Sequence, residues 1–267
     1  MNISQQFLNR EGDFYMYQKE RMDEIYAIIK ENGYVTVKYL VEQVHYSNAT
    51  INRDLNLLEK QGLVKRSYGG VETIKAKTVP LMFRYHKMKS AKHKMSKKAA
   101  ELVGDGDTIF IDGSTTTEGI GKYLFGKKDI TVITNSLALA LSLGEMNIDT
   151  ICLGGRIREF PSVVTDEVTI DNARRYRVDK MFFSIGALSH DGKIASIVTD
   201  TGGTHLLMKT MMENSKISCC LVDHEKVGIE YKTVLCGVDD VDYLITDYAF
   251  GDDFCGRFKN TKIITVK

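Results

Sequence analysis

The chain has no apolar run approaching the ~18 residues that a membrane-spanning helix needs, so none is expected. Its opening, MNISQQFLNREGDFYM, lacks the apolar core of a secretory signal. The five cysteines, Cys152, Cys219, Cys220, Cys236 and Cys255, form no C-x-x-C pair, and most lie in apolar runs that read as strands. That pattern supports neither a metal site nor a redox pair and suits reduced, buried thiols in a cytoplasm. Neither G-x-G-x-x-G nor G-x-x-x-x-G-K-[ST] occurs, so dinucleotide and nucleoside-triphosphate sites are poorly supported and no cofactor is expected.

What is there fits an ordinary globular protein: 267 residues, 43% apolar and 27% charged, enough for one or two domains with a real core. The net charge of +1 is unevenly spread. Residues 1–75 hold ten basic and ten acidic side chains, residues 76–98 hold eight basic and none acidic, and the remainder hold 18 and 25. The basic run comprises Lys77, Arg84, Lys87, Lys89, Lys92, Lys94, Lys97 and Lys98. It reads either as a solvated linker and helix face or as a phosphate-neutralising patch.

The most informative stretch runs from Ser47 to Gly70, SNATINRDLNLLEKQGLVKRSYGG. Ser47 is a good N-cap, and Ile51, Leu55 and Leu58 then recur at helical spacing, with Leu57 widening the apolar face. The opposite face carries Asn48, Thr50, Asn52, Arg53 and Asn56. Gly62 stops the helix, and residues 63–66 read as a strand entering the Gly69-Gly70 turn. Upstream, a helix over Lys19–Glu31 turns Met22, Ile25, Ile28 and Ile29 inward, and a second, near Val37–Val44, buries Leu40, Val41 and Val44. Helix, short helix, turn, helix and basic hairpin is the winged helix-turn-helix layout, which seats one helix in a major groove and a wing on phosphates. A small three-helix interaction module is the plainer alternative. The DNA-contact candidates are Ser47, Asn48, Thr50, Asn52, Arg53, Lys65, Arg66 and Tyr68.

Arg21, Ile25, Ile29, Ser47, Thr50-Ile51, Arg53-Asp54-Leu55 and Tyr68-Gly69-Gly70-Val71 resemble the DeoR-type bacterial transcriptional regulators, and the resemblance continues from about Lys19 through the second half. It departs at Asn52, where that family usually carries a basic residue. An amide there can pair with adenine, whereas arginine favours guanine, so a different operator is expected.

Residues 1–18 read as a disordered or leader-derived extension. Arg10 to Tyr15, just before Met16, is what a purine-rich ribosome-binding sequence gives when read in frame, which suggests Met16 as the natural start. The winged helix-turn-helix is expected over 19–74, a linker containing Pro80 over 75–89, and an effector-sensing domain over 90–267, opening with a helix near Ser90–Leu102. Apolar runs at Thr108–Ile111, Ile130–Thr134, Thr150–Leu153, Lys180–Ser184, Ile217–Val222, Tyr243–Thr246 and Ile263–Val266 read as strands. Between them, Thr116–Leu124, Leu137–Leu143, Gly203–Met212 and Asp252–Phe258 have helical spacing. The expected fold class is α/β, a doubly wound, mainly parallel sheet.

Ligands of such sheets bind beyond the carboxyl ends of the strands. Those ends carry Asp112-Gly113-Ser114-Thr115-Thr116-Thr117, Thr134-Asn135-Ser136, Gly154-Gly155-Arg156, Ser184-Ile185-Gly186 and Asp223-His224-Glu225-Lys226. Any one of these could be an ordinary turn or cap. Five on one edge favour a phosphorylated small molecule, because hydroxyls and helix-start N–H groups hold a phosphate dianion.

The same segments resemble the DeoR sensor domain, similar in fold to ribose-5-phosphate isomerase, in which a phosphorylated sugar acts as inducer. The resemblance implies that Ser114, Thr115, Thr116 and Thr117 hold phosphate, that Asn135 and Asp200 hold sugar hydroxyls, and that Lys226 neutralises charge. Asp112, Thr134, Gly155 and Arg156 complete the expected site. Glu225 replaces the hydroxyl residue usual before that lysine; a carboxylate disfavours a nearby phosphate, so either it points away or the effector is unusual. The rival is an isomerase-like enzyme, whose proton transfer needs a carboxylate base. Ser184-Ile185-Gly186-Ala187-Leu188-Ser189 supplies none, although Asp191 and Asp200 lie near. The resemblance implies a repressor of sugar metabolism with operator DNA and a sugar phosphate as partners; a homodimer or homotetramer in the cytoplasm is expected, with no membrane and no metal.

Overall fold

The computed structural model describes residues 3–32, 34–67, 70–73, 88–157, 163–195, 203–230 and 233–267, and the chain divides into two units, Met1–Pro80 and Leu81–Lys267. Tyr68, Asp200 and nearly all of the expected 75–89 linker lie outside the described residues.

The first unit comprises α1 (Ile3–Asn32), β1 (Tyr34–Thr36), α2 (Val37–Val44), α3 (Asn48–Lys60), β2 (Val64–Ser67) and β3 (Gly70–Thr73). α1 begins at Ile3, well before the expected Lys19, so residues 3–18 belong to the same helix as residues 19–32; no proline interrupts them. Thr36 caps α2 by accepting from the Tyr39 N–H at 3.1 Å, and Ser47 caps α3 by accepting from the Thr50 N–H at 3.2 Å. Between these helices the chain turns through His45, which takes a left-handed φ of 56°. Gly62, at φ +70°, releases the chain into an antiparallel sheet of order β1-β3-β2. Ile25, Ile29, Leu40, Ile51, Leu55, Leu58, Leu63 and Val71 are fully buried and form its core.

One ion pair crosses that core. Asp54 is fully buried on α3 and accepts from Arg21 of α1 through both carboxylate oxygens, at 2.5 and 3.2 Å, while Gln18 donates to it at 3.4 Å. The Arg21 guanidinium also lies 4.8 Å over the Tyr46 ring, a favourable cation–π placement.

The second unit is built on seven strands: β4 (Thr108–Ile111), β5 (Thr131–Thr134), β6 (Asp149–Cys152), β7 (Val178–Ser184), β10 (Ser215–Val222), β12 (Tyr243–Thr246) and β13 (Lys262–Thr265). They form one sheet of order β13-β12-β10-β7-β4-β5-β6, parallel throughout. Each expected strand is present; the inner strands are covered on both faces and leave near-continuous apolar runs, and the edge strands β6 and β13 are covered only at their centres. Side chains alternate between the faces. Ile109, Ile111, Phe182 and Leu221 pack with α4 (Lys89–Ala100) and α5 (Leu137–Glu145). Phe110, Met181, Phe183 and Cys220 pack with α6 (Glu167–Ala173) and α7 (Gly203–Glu213). The fold is the expected doubly wound α/β class.

Three features differ from expectation. The segment 116–124 forms a 3-10 helix, Glu118–Tyr123, rather than an α-helix; Gly119 and Gly121 weaken helix here, and the turn is short. A small antiparallel sheet of β8 (Ala187–Leu188), β9 (Lys193–Ala195) and β11 (Val234–Gly237), in the order β11-β9-β8, escapes the sequence: β8 and β9 are two and three residues long, and β11 pairs with them from some forty positions away. Cys219 and Cys220 are buried, and burial pushes the Cys219 thiol up to about 12, but Cys152 and Cys255 are exposed. Among the described residues no helix is long and apolar enough to cross a membrane.

Candidate functional site

The strand order reverses beside β4: the chain moves outward to β5 and β6, then returns to β7 on the other side. In such sheets this switch point opens a crevice beyond the strand ends. The loops leaving β4 and β7 flank it, and one hydrogen-bonded line joins them. Asp112 accepts from the Thr117 hydroxyl, and the nearby Ser114 and Ser184 groups favour its ionised form. The Ser184 hydroxyl accepts from Lys226 Nζ at 3.1 Å, and Lys226 lies 3.1 Å from the buried Asp223. The ends of β4, β7 and β10 therefore meet at one edge.

Of the hydroxyl and amide groups expected to touch a ligand, Thr116, Thr117, Thr134 and Asn135 are buried, and the last three bond the loops' own groups. Thr117 Oγ1 donates to Asp112 and pairs with Ser114 Oγ at 2.7 Å. Thr134 Oγ1 donates to the Ile111 carbonyl at 2.7 Å and accepts from the Ser136 N–H. Asn135 accepts from the Gly113 N–H at 2.9 Å and donates to the Val164 carbonyl at 3.0 Å. Asp112, Thr116, Thr117, Thr134 and Asn135 are all buried. The physical reason is that a loop turning from a buried strand must satisfy its own backbone first. Ser114, Thr115 and Lys226 are half-buried, and Gly155 and Arg156 are exposed. Gly113 and Gly155 must be glycine: a Cβ would collide with Val163 at the first, and with Thr169 and Asp166 at the second, where φ is +130°.

The residue that sequence reasoning missed is Lys92. It is 8% exposed on the buried face of α4, and its Nζ donates to Thr115 Oγ1 at 2.9 Å. Inside a basic run it reads as one more solvated or DNA-facing charge. The available signal is its place in Ala91-Lys92, Met95-Ser96 and Ala99-Ala100, a buried helical stripe. Ser96, one turn on, is buried and donates to the Thr116 carbonyl at 2.7 Å.

Burial pushes the Asp112 carboxyl up to about 6, against the hydrogen bonds that favour its ionised form. The fold thus binds this proton more tightly than the unfolded chain does, and its contribution to stability falls as pH rises from about 4 to about 6. Across that window wild type should lose stability relative to Asp112→Asn by on the order of 2–3 kcal/mol, measurable by urea unfolding at a series of pH values.

In the first unit, α3 and the hairpin share a polar network. Arg66 Nη1 and Nη2 donate to the Asn52 side-chain and backbone oxygens at 3.0 and 3.1 Å. The Asn52 amide nitrogen donates to Asn48, through the backbone carbonyl at 2.8 Å and the side-chain oxygen. Glu59 accepts from the Arg66 N–H at 2.9 Å. Ser47 and Thr50 hydroxyls bond each other at 2.9 Å at the helix cap. Arg53 and Lys65 are exposed.

A helix-turn-helix with a basic wing, followed by a doubly wound domain with a hydroxyl-lined and lysine-bearing edge, defines a DNA-binding regulator with its own sensor domain. The chain belongs to the DeoR family: the DeoR-like helix-turn-helix domain matches residues 21–77 and the DeoR C terminal sensor domain matches residues 87–248. It is 30% identical to the HTH-type transcriptional repressor GlcR of Bacillus subtilis, over 90% of this chain and 92% of that protein. To the lactose phosphotransferase system repressor of Lactococcus lactis it is 32% identical, over 87% and 92%. The glycerol-3-phosphate regulon repressor of Escherichia coli is 30% identical over the same shares. Among solved structures, ribose 5-phosphate isomerase A of Neisseria gonorrhoeae matches 51% of this chain and 52% of its own at 19% identity and a TM-score of 0.37. With such relatives the chain is a transcriptional regulator and not an enzyme.

Proposed function

We propose that the protein represses genes of carbohydrate metabolism by binding operator DNA in the cytoplasm as a homodimer or homotetramer, and that a phosphorylated sugar releases it. The repressors of sugar and sugar-phosphate systems among its relatives support this reading. The observation that carries the effector half is the buried Lys92 ammonium donating into a serine- and threonine-rich loop at the switch point. Away from bulk water an ammonium attracts an anion more strongly than it does at the surface, and a phosphate dianion at Ser114 and Thr115 lies within its reach. Lys226 and Arg156 supply further charge, with Asn135 and Asp112 shaping the loop from below. Asp200 would bond sugar hydroxyls in this reading, and the exposed Glu225 would have to point away from the phosphate.

On the DNA side, Arg53, Lys65 and Asn48 are the contacting side chains, with Tyr68 kept as a further candidate, and Ser47 and Thr50 fix the start of the recognition helix. Asn52 has both ends of its amide engaged, which favours a supporting role: it holds the Arg66 guanidinium toward the groove rather than reading adenine itself. Arg53→Ala should weaken operator binding by about 1–3 kcal/mol, read by fluorescence anisotropy at fixed salt. Loss below twofold would remove Arg53 from the interface. The whole reading is tested by melting the full chain against a panel of sugar phosphates, since a ligand of the folded state raises the midpoint. No shift with any member would contradict the effector half.

A further inference from the structure

α4 is the first described element after the connection from the DNA-binding unit, and it is tied to the effector loop twice. Lys92 Nζ reaches Thr115 Oγ1 at 2.9 Å, and one turn later Ser96 Oγ reaches the Thr116 carbonyl at 2.7 Å. Both side chains are buried. A third contact is steric. Gly119 lies against the same serine, so that a Cβ there would sit 2.5 Å from Ser96 Oγ and 3.1 Å from Ser96 Cβ. The loop also holds a buried group in deficit: Thr116 Oγ1 has no hydrogen-bond partner among the described residues. Native interiors rarely leave such a hydroxyl unmet, and the loop can relieve it by changing shape.

We propose that α4 carries effector occupancy toward the DNA-binding unit, with Ser96 as the positioning residue that latches the helix to the loop. This route rests on the sugar-phosphate reading and extends it. A phosphate arriving at Ser114 and Thr115 competes for the Lys92 ammonium and the Thr115 hydroxyl. The loop from Gly113 to Thr117 then rearranges, the Ser96–Thr116 bond is lost, and α4 shifts against the sheet. Because the helix is joined in sequence to the connection, its shift is felt by the operator-binding unit. The proposal requires a second position of α4 that both ligands bias, which is what coupling between sites needs.

The test uses the full-length protein, an operator fragment selected with it in vitro, and inorganic phosphate as the probe at constant ionic strength. Ser96→Ala removes the latch without touching the ligand groups. It should bind phosphate within about threefold of wild type by calorimetry, yet phosphate should change its operator affinity less than twofold, where wild type responds at least tenfold. Gly119→Ala pushes loop and helix apart and should weaken operator binding at least tenfold with no phosphate present. The double variant Ser96→Ala/Gly119→Ala removes the nearer contact, to Ser96 Oγ, and should recover to within about threefold of Ser96→Ala. Should Gly119→Ala fail to fold, Ser96→Ala alone decides. Unchanged coupling in Ser96→Ala would overturn the α4 route while leaving the effector reading intact; a wild-type chain that binds no phosphate and no sugar phosphate would overturn the effector reading itself.

Discussion

Lys92→Met is expected to bind operator like the wild-type chain and to ignore the sugar phosphate. Methionine keeps the length and apolar stem of lysine, so the packing of α4 through Ala91, Met95 and Ala99 survives. What disappears is the ammonium aimed at Thr115 from within the buried face. Removing one partner of a buried, hydrogen-bonded charge pair costs about 2–5 kcal/mol, which at effector concentrations near the dissociation constant abolishes induction. Calorimetric titration with the active sugar phosphate should show a loss of at least thirtyfold. Retention within threefold would mean that the phosphate lies elsewhere on the sheet edge.

Asp54→Ala should do the converse, sparing the sensor and ruining the DNA-binding unit. Asp54 is fully buried and binds Arg21 through two hydrogen bonds, with Gln18 as a third donor, so it fastens α1 to α3. Alanine leaves a largely buried guanidinium without its counter-charge, at a cost of about 3–5 kcal/mol. Small domains hold about 5–15 kcal/mol in total, so the first unit becomes marginal. Scanning calorimetry of the full chain should show an early transition absent from wild type, with effector binding unchanged and operator binding lost. A single wild-type transition would show that the pair contributes little.

Much of this architecture is legible in the amino-acid order alone. The seven parallel strands are readable because the central ones are covered on both faces and so write runs such as Thr108–Ile111 or Ser215–Val222 without charged interruption at their centres, while the edge strands keep apolar centres. α3 is readable from Ser47, which the structure uses as its cap, and α2 from the spacing of Leu40, Val41 and Val44. What escapes depends on contacts between segments distant in sequence. Asn52 reads as a groove-facing amide, and nothing in the sequence shows that Arg66, fourteen positions later, donates to its oxygen. Lys92 vanishes into a run of like charges because composition averages over a helix whose faces differ. The polar loops after the parallel strands do gather at one edge, but the split between groups that hold the loop and groups that can meet a ligand follows from burial, as at Thr117 and Asn135.

Two sites joined by one coupling make up the proposed regulator. Coupling is reciprocal, so an effector that weakens operator binding must itself be weakened by operator to the same factor. The direct measurement is the dissociation constant of the active sugar phosphate with and without saturating operator, set beside that of operator with and without saturating sugar phosphate. Equal factors, each of at least fivefold, are expected. Effector affinity that is indifferent to operator, for a sugar phosphate that does bind the sensor, would contradict the coupling.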